Sequence, residues 1–250
     1  MSPYEKAWQD VRSRIAAAAG AAARHPAEIG LLAVSKGFPQ ETVRRAYALG
    51  QRAFGENYVQ EGVAKIAALA DLPDIEWHLI GPLQGNKVRP AAASFAWVQT
   101  IDRLKLAERL AAARAGDLPS LNVCVQVNIS GENTKSGCAP GAALTLAHAV
   151  ARLPRLALRG FMGIAEETAD TARQHAQFRI LRGLFDAARA AGLALDTLSM
   201  GMSADMEAAI AEGATLVRIG SALFGPRPTR IETEGAGISP SSAAATWRAR

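Results

Sequence analysis

Three sets of residues in this 250-residue chain have the types and spacing to act on a carbonyl compound that carries an anionic group. The first is Lys36, which ends the apolar stretch Ile29 to Ser35 and is followed at once by Gly37 and Pro39. A lysine there fits two readings. It marks a strand leaving for water, or it is an amine partly removed from water, which loses its proton and attacks a carbonyl to form an imine. The second set is a pair of small-residue turns. Ser199, Met200, Gly201 and Ser203 in "SMGMSADMEAAI" precede a helix expected to begin near Ala204, and Gly220 and Ser221 in "VRIGSALFG" repeat the arrangement. Free backbone N–H groups and the dipole of a following helix favour an anion, although plain N-capping by Ser203 and Ser221 accounts for the same residues. The third is Arg218, a permanent cation that keeps a neighbouring ring nitrogen unprotonated, or else a salt-bridge partner at the rim.

Other candidates are weaker. His78, between Trp77 and Leu79, reads equally as a hydrogen-bonded core residue or a base, and Glu56 either pairs with Lys36 or faces solvent. His25, His148 and His175 have no carboxylate or cysteine at ligand spacing, and Lys87 and Arg89 read as surface charge more readily than as anion binders at the site's mouth. Cys124 and Cys138 form no C-x-x-C pair, which argues against a disulfide framework or a zinc site.

What must position these groups is a regular alternation of elements. Eight short runs, "EIGLLAVS", "RAFGE", "EWHLIG", "FAWVQT", "LNVCVQVN", "LALRGFMG", "TLSMG" and "LVRIG", alternate with helical patterns such as "QETVRRAYALG" and "DTARQHAQFRILRGLFDAARAAG". Apolar runs without two-residue alternation indicate parallel strands covered on both faces, and eight strand–helix units in this length predict a single (β/α)8 barrel. A doubly wound open sheet is the alternative, but "SKGFPQ" lacks the G-x-G-x-x-G turn that such a sheet uses for nucleotides. In a barrel the active groups lie at the carboxyl ends of the strands, and the loops after strands seven and eight commonly hold phosphate. Lys36, two phosphate-binding turns and Arg218 then describe pyridoxal 5′-phosphate held as a covalent imine to Lys36.

The division expected is an N-terminal helix over 1–27, the barrel over 28–228 and a loose Gly/Ser/Ala-rich tail over 229–250. A net charge of +5 comes from 28 basic and 23 acidic residues scattered along the chain, so no nucleic-acid partner is expected. No run of about 18 apolar residues occurs, so no membrane span is expected either. Without an address signal or a disulfide pattern the default location is cytoplasmic.

From about residue 10 to 226 the chain resembles the pyridoxal phosphate homeostasis family, small single-barrel relatives of the N-terminal domain of alanine racemase (fold type III). The resemblance rests on "AVSK" (33–36), "FGENYVQE" (54–61), "WHLIGPLQGNK" (77–87), "VNISGENTKSG" (127–137), "GFMGI" (160–164), "LSMGMSADMEAAI" and "VRIGSALFG". It implies that Lys36 forms the Schiff base, that Asn57 lies beside the cofactor, and that the Ser199–Ser203 and Arg218–Ser221 segments hold ring and phosphate. His78 joins them as a candidate cofactor contact. Leu79 and Pro82 depart from the family's usual residues. The function implied is buffering or delivery of pyridoxal phosphate by a monomer, with apo-enzymes that use this cofactor as acceptors and without efficient turnover. A weak amino-acid racemase is the alternative. Racemases of this type need a second base, a tyrosine from a further domain, and of Tyr4, Tyr47 and Tyr58 only Tyr58 falls near the site.

Overall fold

The apolar runs become strands and the amphipathic stretches become helices. In order they are α1 (Pro3–Ala21), β1 (Gly30–Val34), α2 (Gln40–Ala48), β2 (Ala53–Glu56), α3 (Val59–Ala68), β3 (Glu76–Leu79), α4 (Val88–Ser94) and β4 (Trp97–Ile101). There follow α5 (Leu104–Ala113), β5 (Leu121–Val127), α6 (Pro140–Val150), β6 (Leu156–Gly163), α7 (Thr171–Ala190), β7 (Thr197–Ser199), α8 (Met206–Ala211), β8 (Leu216–Ile219) and α9 (Ser221–Phe224). The structure, a computed structural model, describes residues 2–132 and 135–226. The expected tail over 229–250 lies outside the described residues.

All eight strands pair in parallel and in chain order, and β8 returns to pair with β1, closing the barrel. Each strand turns alternate side chains to opposite faces, and this sorts the core into two compartments. Trp77 and Leu79 of β3, Val98 of β4, Val123 and Val125 of β5, Phe161 of β6, Leu198 of β7 and Val217 and Ile219 of β8 join the large apolar cluster packed with the helices. The residues between them give a separate lumen: Trp97, Cys124 and Met162 form its small apolar cluster, beside buried His78, Gln99, Ser199 and Arg218. The outer layer is apolar, as the runs predict. The lumen is largely polar, which the runs conceal.

The N-terminal helix is shorter than the expected 1–27. It ends at Ala21, and a 3₁₀ turn over Pro26–Glu28, capped by the His25 ring, leads into β1. Ser2 and Glu5 form a capping box at its start, and Trp8, Val11, Ile15 and Ala19 bury one face against α8 and α9. Trp8 meets Phe224 edge-on at 6.1 Å, and Phe38 lies 5.3 Å from the same ring. Arg14 reaches across to Glu207 and to the Ser203 carbonyl. The helix therefore braces the β7 and β8 loops from behind.

Trp8, 2% exposed, is the largest side chain in that brace. Trp8→Ala is expected to destabilise the chain by about 3–5 kcal/mol, read as a lower midpoint in urea unfolding with an unchanged slope.

Candidate functional site

Barrel closure brings Lys36 and Arg218 together, although 182 positions separate them (218 − 36). Leu32 pairs with Arg218 and Ala33 with Ile219 along the β1–β8 ladder, so the loop after β1 emerges next to the loop after β8. Both face a cavity of about 600 Å³ at the carboxyl ends of the strands. Lys36, Asn57, Ser203, Arg218, Gly220 and Ser221 all line it, as do Phe38, Ile164 and Met202.

The Lys36 loop is held from behind by a buried ionic cluster. Lys65 Nζ, from α3, donates to the Ser35 carbonyl at 2.8 Å, to Glu56 Oε1 at 2.7 Å and to Glu61 Oε1 at 2.8 Å. The Ser35 hydroxyl donates to Glu56 at 2.6 Å, and the Gly37 N–H donates to Glu61 at 2.6 Å. Both neighbours of Lys36 are thus pinned. Glu56 neither pairs with Lys36 nor faces solvent, contrary to the alternatives left open by the sequence: it is fully buried and serves Lys65. Burial pushes its carboxyl above the ordinary range, with Lys65 and the Ser35 hydroxyl pulling the other way. Asn57 is set by a close approach, because a Cβ on Gly81 would lie 2.2 Å from the Asn57 carbonyl. Only glycine lets the end of β3 pass there.

The two small-residue turns converge as predicted, but their parts differ from the expectation. The helix after the first turn starts at Met206, not near Ala204, with Asp205 as its N-cap. Asp205 accepts the Met202 N–H at 2.5 Å, which folds the loop back on itself. Among the described residues, the N–H groups of Ser203 and Ala204 donate to no protein acceptor. In the second turn Gly220 is the N-cap and Ser221 the first residue of α9, so the Ser221 and Ala222 N–H groups have no intrahelical acceptor. The Ser221 hydroxyl donates to the Ser203 hydroxyl at 3.3 Å, joining the two turns. Neither serine is the cap that the alternative reading made it. At Gly220 the close approach is to β1: a Cβ would lie 3.3 Å from the Val34 carbonyl.

Four predicted contacts are not at the cavity. Ser199, Met200, Gly201 and His78 are buried and do not line it. Met200 packs in the outer core, a Cβ on Gly201 would meet Ala209 at 2.5 Å, and Ser199 and His78 point into the lumen's polar network. The cause is strand alternation, since these residues sit within or just after strands whose inner face lies below the site. Conversely, Glu166, Glu167, Thr168 and Gln174, around the start of α7, and Asp205 all line the cavity and were not predicted. Nothing periodic marks the loop residues, whereas Asp205, just before an apolar helical run, was readable as a cap.

The charges are arranged around Arg218. It is 4% exposed, donates to the Ser199 hydroxyl at 2.9 Å and to the Gly163 carbonyl at 2.9 Å, and burial pulls its pKa down to about 10. Burial raises the Asp205 carboxyl, while its bond from Met202 and the Arg218 charge oppose the rise. Tyr58 is 67% exposed, and neither it nor any other tyrosine, histidine or cysteine among the described residues lines the cavity. Of the histidines set aside, His175 does have a carboxylate partner, Glu212 at 2.6 Å. Both cysteines are free.

These residues fit pyridoxal 5′-phosphate: an amine at one strand end, a buried guanidinium, and, on two joined turns, main-chain donors without acceptors among the described residues. Fold and site together define a barrel of the alanine racemase type, and residues 11–228 match the family described as alanine racemase, N-terminal domain. An alanine racemase from Clostridium difficile, 15% identical with a TM-score of 0.68 over 81% of this chain and 54% of that one, shares the fold. Sequence likeness is higher to the pyridoxal phosphate homeostasis protein of Pseudomonas aeruginosa, 59% identical over 217 residues, which are 87% of this chain and 93% of the relative. The protein of that name from Escherichia coli is 52% identical over 219 residues, 87% and 94% of the two chains. PipY of Synechococcus elongatus, solved with pyridoxal phosphate bound, is 41% identical with a TM-score of 0.74, covering 84% of this chain and all of that one. The chain belongs to the pyridoxal phosphate homeostasis protein family.

Glu56 yields a pH prediction. Its folded pKa lies above its ordinary value of 4.5, so folding binds its proton more tightly. The stability this contributes is fully present below about 4.5 and is lost as pH rises through the raised value. The difference in unfolding free energy, wild type minus Glu56→Gln, should therefore fall as pH rises from about 4.5, as measured by denaturant titration at each pH. A difference that is flat or rises would refute the assignment.

Proposed function

We propose that this chain binds pyridoxal 5′-phosphate through Lys36 and serves to store or deliver it, without efficient turnover of amino acids. The observation that carries this reading is the convergence of Lys36, Arg218 and the two joined turns on one cavity. The names of its relatives and the bound ligand of PipY support it. When bound, the cofactor supplies an aldehyde that a primary amine captures reversibly.

The chain's own residues have distinct tasks. The Lys65 cluster fixes the Ser35–Gly37 backbone and so holds the Lys36 side chain at the cavity wall. The N–H groups of Ser203, Ala204, Ser221 and Ala222 offer an anion four donors with no competing acceptor among the described residues. Arg218 presents a cation that favours an unprotonated ring nitrogen. Catalysis on an amino acid would need a second base opposite the lysine, and among the described residues the cavity's remaining titratable side chains are the carboxylates Glu166, Glu167 and Asp205. We place the chain in the cytoplasm as a monomer with apo-enzymes as acceptors. Its free cysteines and described helices, none long and apolar enough to cross a membrane, agree with that placement.

Borohydride treatment of the cofactor-loaded protein, followed by peptide mapping, should mark Lys36, and Lys36→Ala should lose both the mark and the visible absorbance. A mark confined to Lys87, Lys105 or Lys135 would move the attachment elsewhere. Single-enantiomer alanine in deuterated water should remain almost unexchanged over hours, because a missing general base costs about 10²–10⁴ in rate. Fast α-deuterium uptake that Lys36→Ala abolishes would establish the weak racemase instead.

A further inference from the structure

Below the cavity a chain of hydrogen bonds runs through the lumen from Arg218 to the amino-terminal end of the barrel. Arg218 Nη1 lies 2.9 Å from Ser199 Oγ, which lies 2.6 Å from Gln99 Oε1. Gln99 Nε2 lies 2.9 Å from His78 Nδ1, and His78 Nε2 lies 2.8 Å from Glu76 Oε1. Donor chemistry assigns the direction. A guanidinium only donates, so Ser199 accepts from it and passes its single proton to the Gln99 carbonyl. The Gln99 amide then turns its NH₂ to His78, so Nδ1 accepts and the ring proton sits on Nε2, facing the Glu76 carboxylate. The opposite amide orientation would give Ser199 two donors, leave its proton without this acceptor, and set an unprotonated Nε2 against a carboxylate unless the ring were charged. Burial lowers the His78 pKa, against a rise from Glu76, and so favours the neutral ring.

Besides His78, the Trp97 and Arg159 side chains also favour the charged Glu76 carboxylate among the described residues. Trp97 stacks on His78 at 4.9 Å and 12°; Arg159 lies 4.9 Å from the Trp97 ring and is paired with Asp196. Cys124 is pushed up to about 12 by burial and stays a neutral thiol. At the upper end Asp205 is the carboxylate whose charge acts on Arg218.

We propose that Gln99 and His78 are positioning residues for the cofactor: through Ser199 they hold the Arg218 guanidinium in one orientation, anchored to Glu76, and so set the environment of the cofactor's ring. This rests on the binding reading above. It adds that residues outside the cavity, on β3 and β4, govern the electronic state of what binds inside it.

Two measurements test it. In the full-length protein stripped of cofactor, ¹⁵N-resolved imidazole NMR should show His78 as the neutral Nε2–H tautomer from pH 6 to 8; an Nδ1–H tautomer or a charged ring at pH 7 overturns the chain's direction. In the protein loaded with pyridoxal phosphate, Gln99→Leu and Ser199→Ala should each move the pH midpoint of the visible absorbance band in the same sense and weaken binding about fivefold, one hydrogen bond's worth. Because both cut one chain, the double variant should move the midpoint no further than either alone. Additive shifts, or unmoved midpoints in folded variants, overturn the proposal, and Ser199→Ala with His78→Phe decides it if Gln99→Leu fails to fold. A chain that takes up no pyridoxal phosphate overturns both readings, whereas loaded protein with unmoved midpoints overturns this one alone.

Discussion

The closing ladder between β1 and β8 is the constraint on which the rest depends. Without the pairing of Leu32 with Arg218 and of Ala33 with Ile219, the lysine of the first strand and the turn after the last would have no reason to meet. The contact is among the most distant in sequence that the chain makes, and its cost in chain entropy is met only when all eight strands are in register. Two features reinforce it. Gly220 lets the β8 loop lie against Val34, and α1 packs on α8 and α9, so the N-terminal segment stabilises the seam from outside. The site is therefore a property of the closed barrel and not of any local motif.

Closure also creates the lumen, and the lumen explains why Arg218 can be buried. A guanidinium removed from water is costly unless its donors are satisfied. Here the Ser199 hydroxyl and the Gly163 carbonyl take two of them, and the network behind Ser199 ends at a carboxylate, Glu76. The polar lumen and the apolar outer layer are two faces of the same strands. Each inward His78, Gln99, Ser199 or Arg218 is flanked by outward residues such as Leu79, Val98, Leu198 and Val217, which bury in the helix-packed core.

That alternation governs how much could be read in advance. The eight strands were legible because their outward residues are strongly apolar and helix signals separate them; Gly50 and Gly192, both at positive φ, end α2 and α7 where the pattern placed them. That Lys36, Asn57, Ser203, Arg218, Gly220 and Ser221 line one cavity was legible because their positions at strand ends suffice to place them there. Depth was not legible. His78 lies two positions before Ile80 and Ser199 three before Met202, the cavity residues nearest them along the chain, and a shift of one position reverses the face while two lower the side chain by a layer. Lys65 was invisible for another reason. Its partner Glu56 is nine residues away on a different element, and a lysine on a helix surface carries no mark of being buried.

The two ionic networks divide the work of holding the site. The Glu56–Lys65–Glu61 cluster acts on backbone, tying Ser35 and Gly37 so that the Lys36 main chain has little freedom. The Arg218 chain acts on a side chain, fixing a cation whose backbone the β8 strand already sets. The difference suits the two roles proposed for these residues. A lysine that forms and releases a covalent bond must keep its long side chain adaptable, so rigidity is placed in the loop that carries it. A guanidinium that tunes a ring by charge must hold one orientation, so rigidity is placed in its hydrogen bonds. A site built for turnover would need a third rigid group, a base aimed at the opposite face, and among the described residues the cavity's ionisable side chains other than Lys36 and Arg218 are carboxylates on and near loops, with Glu166 drawn to Arg173 and Gln177. The firm supports of this barrel act on the Lys36 loop and on Arg218, the two groups proposed to hold the cofactor.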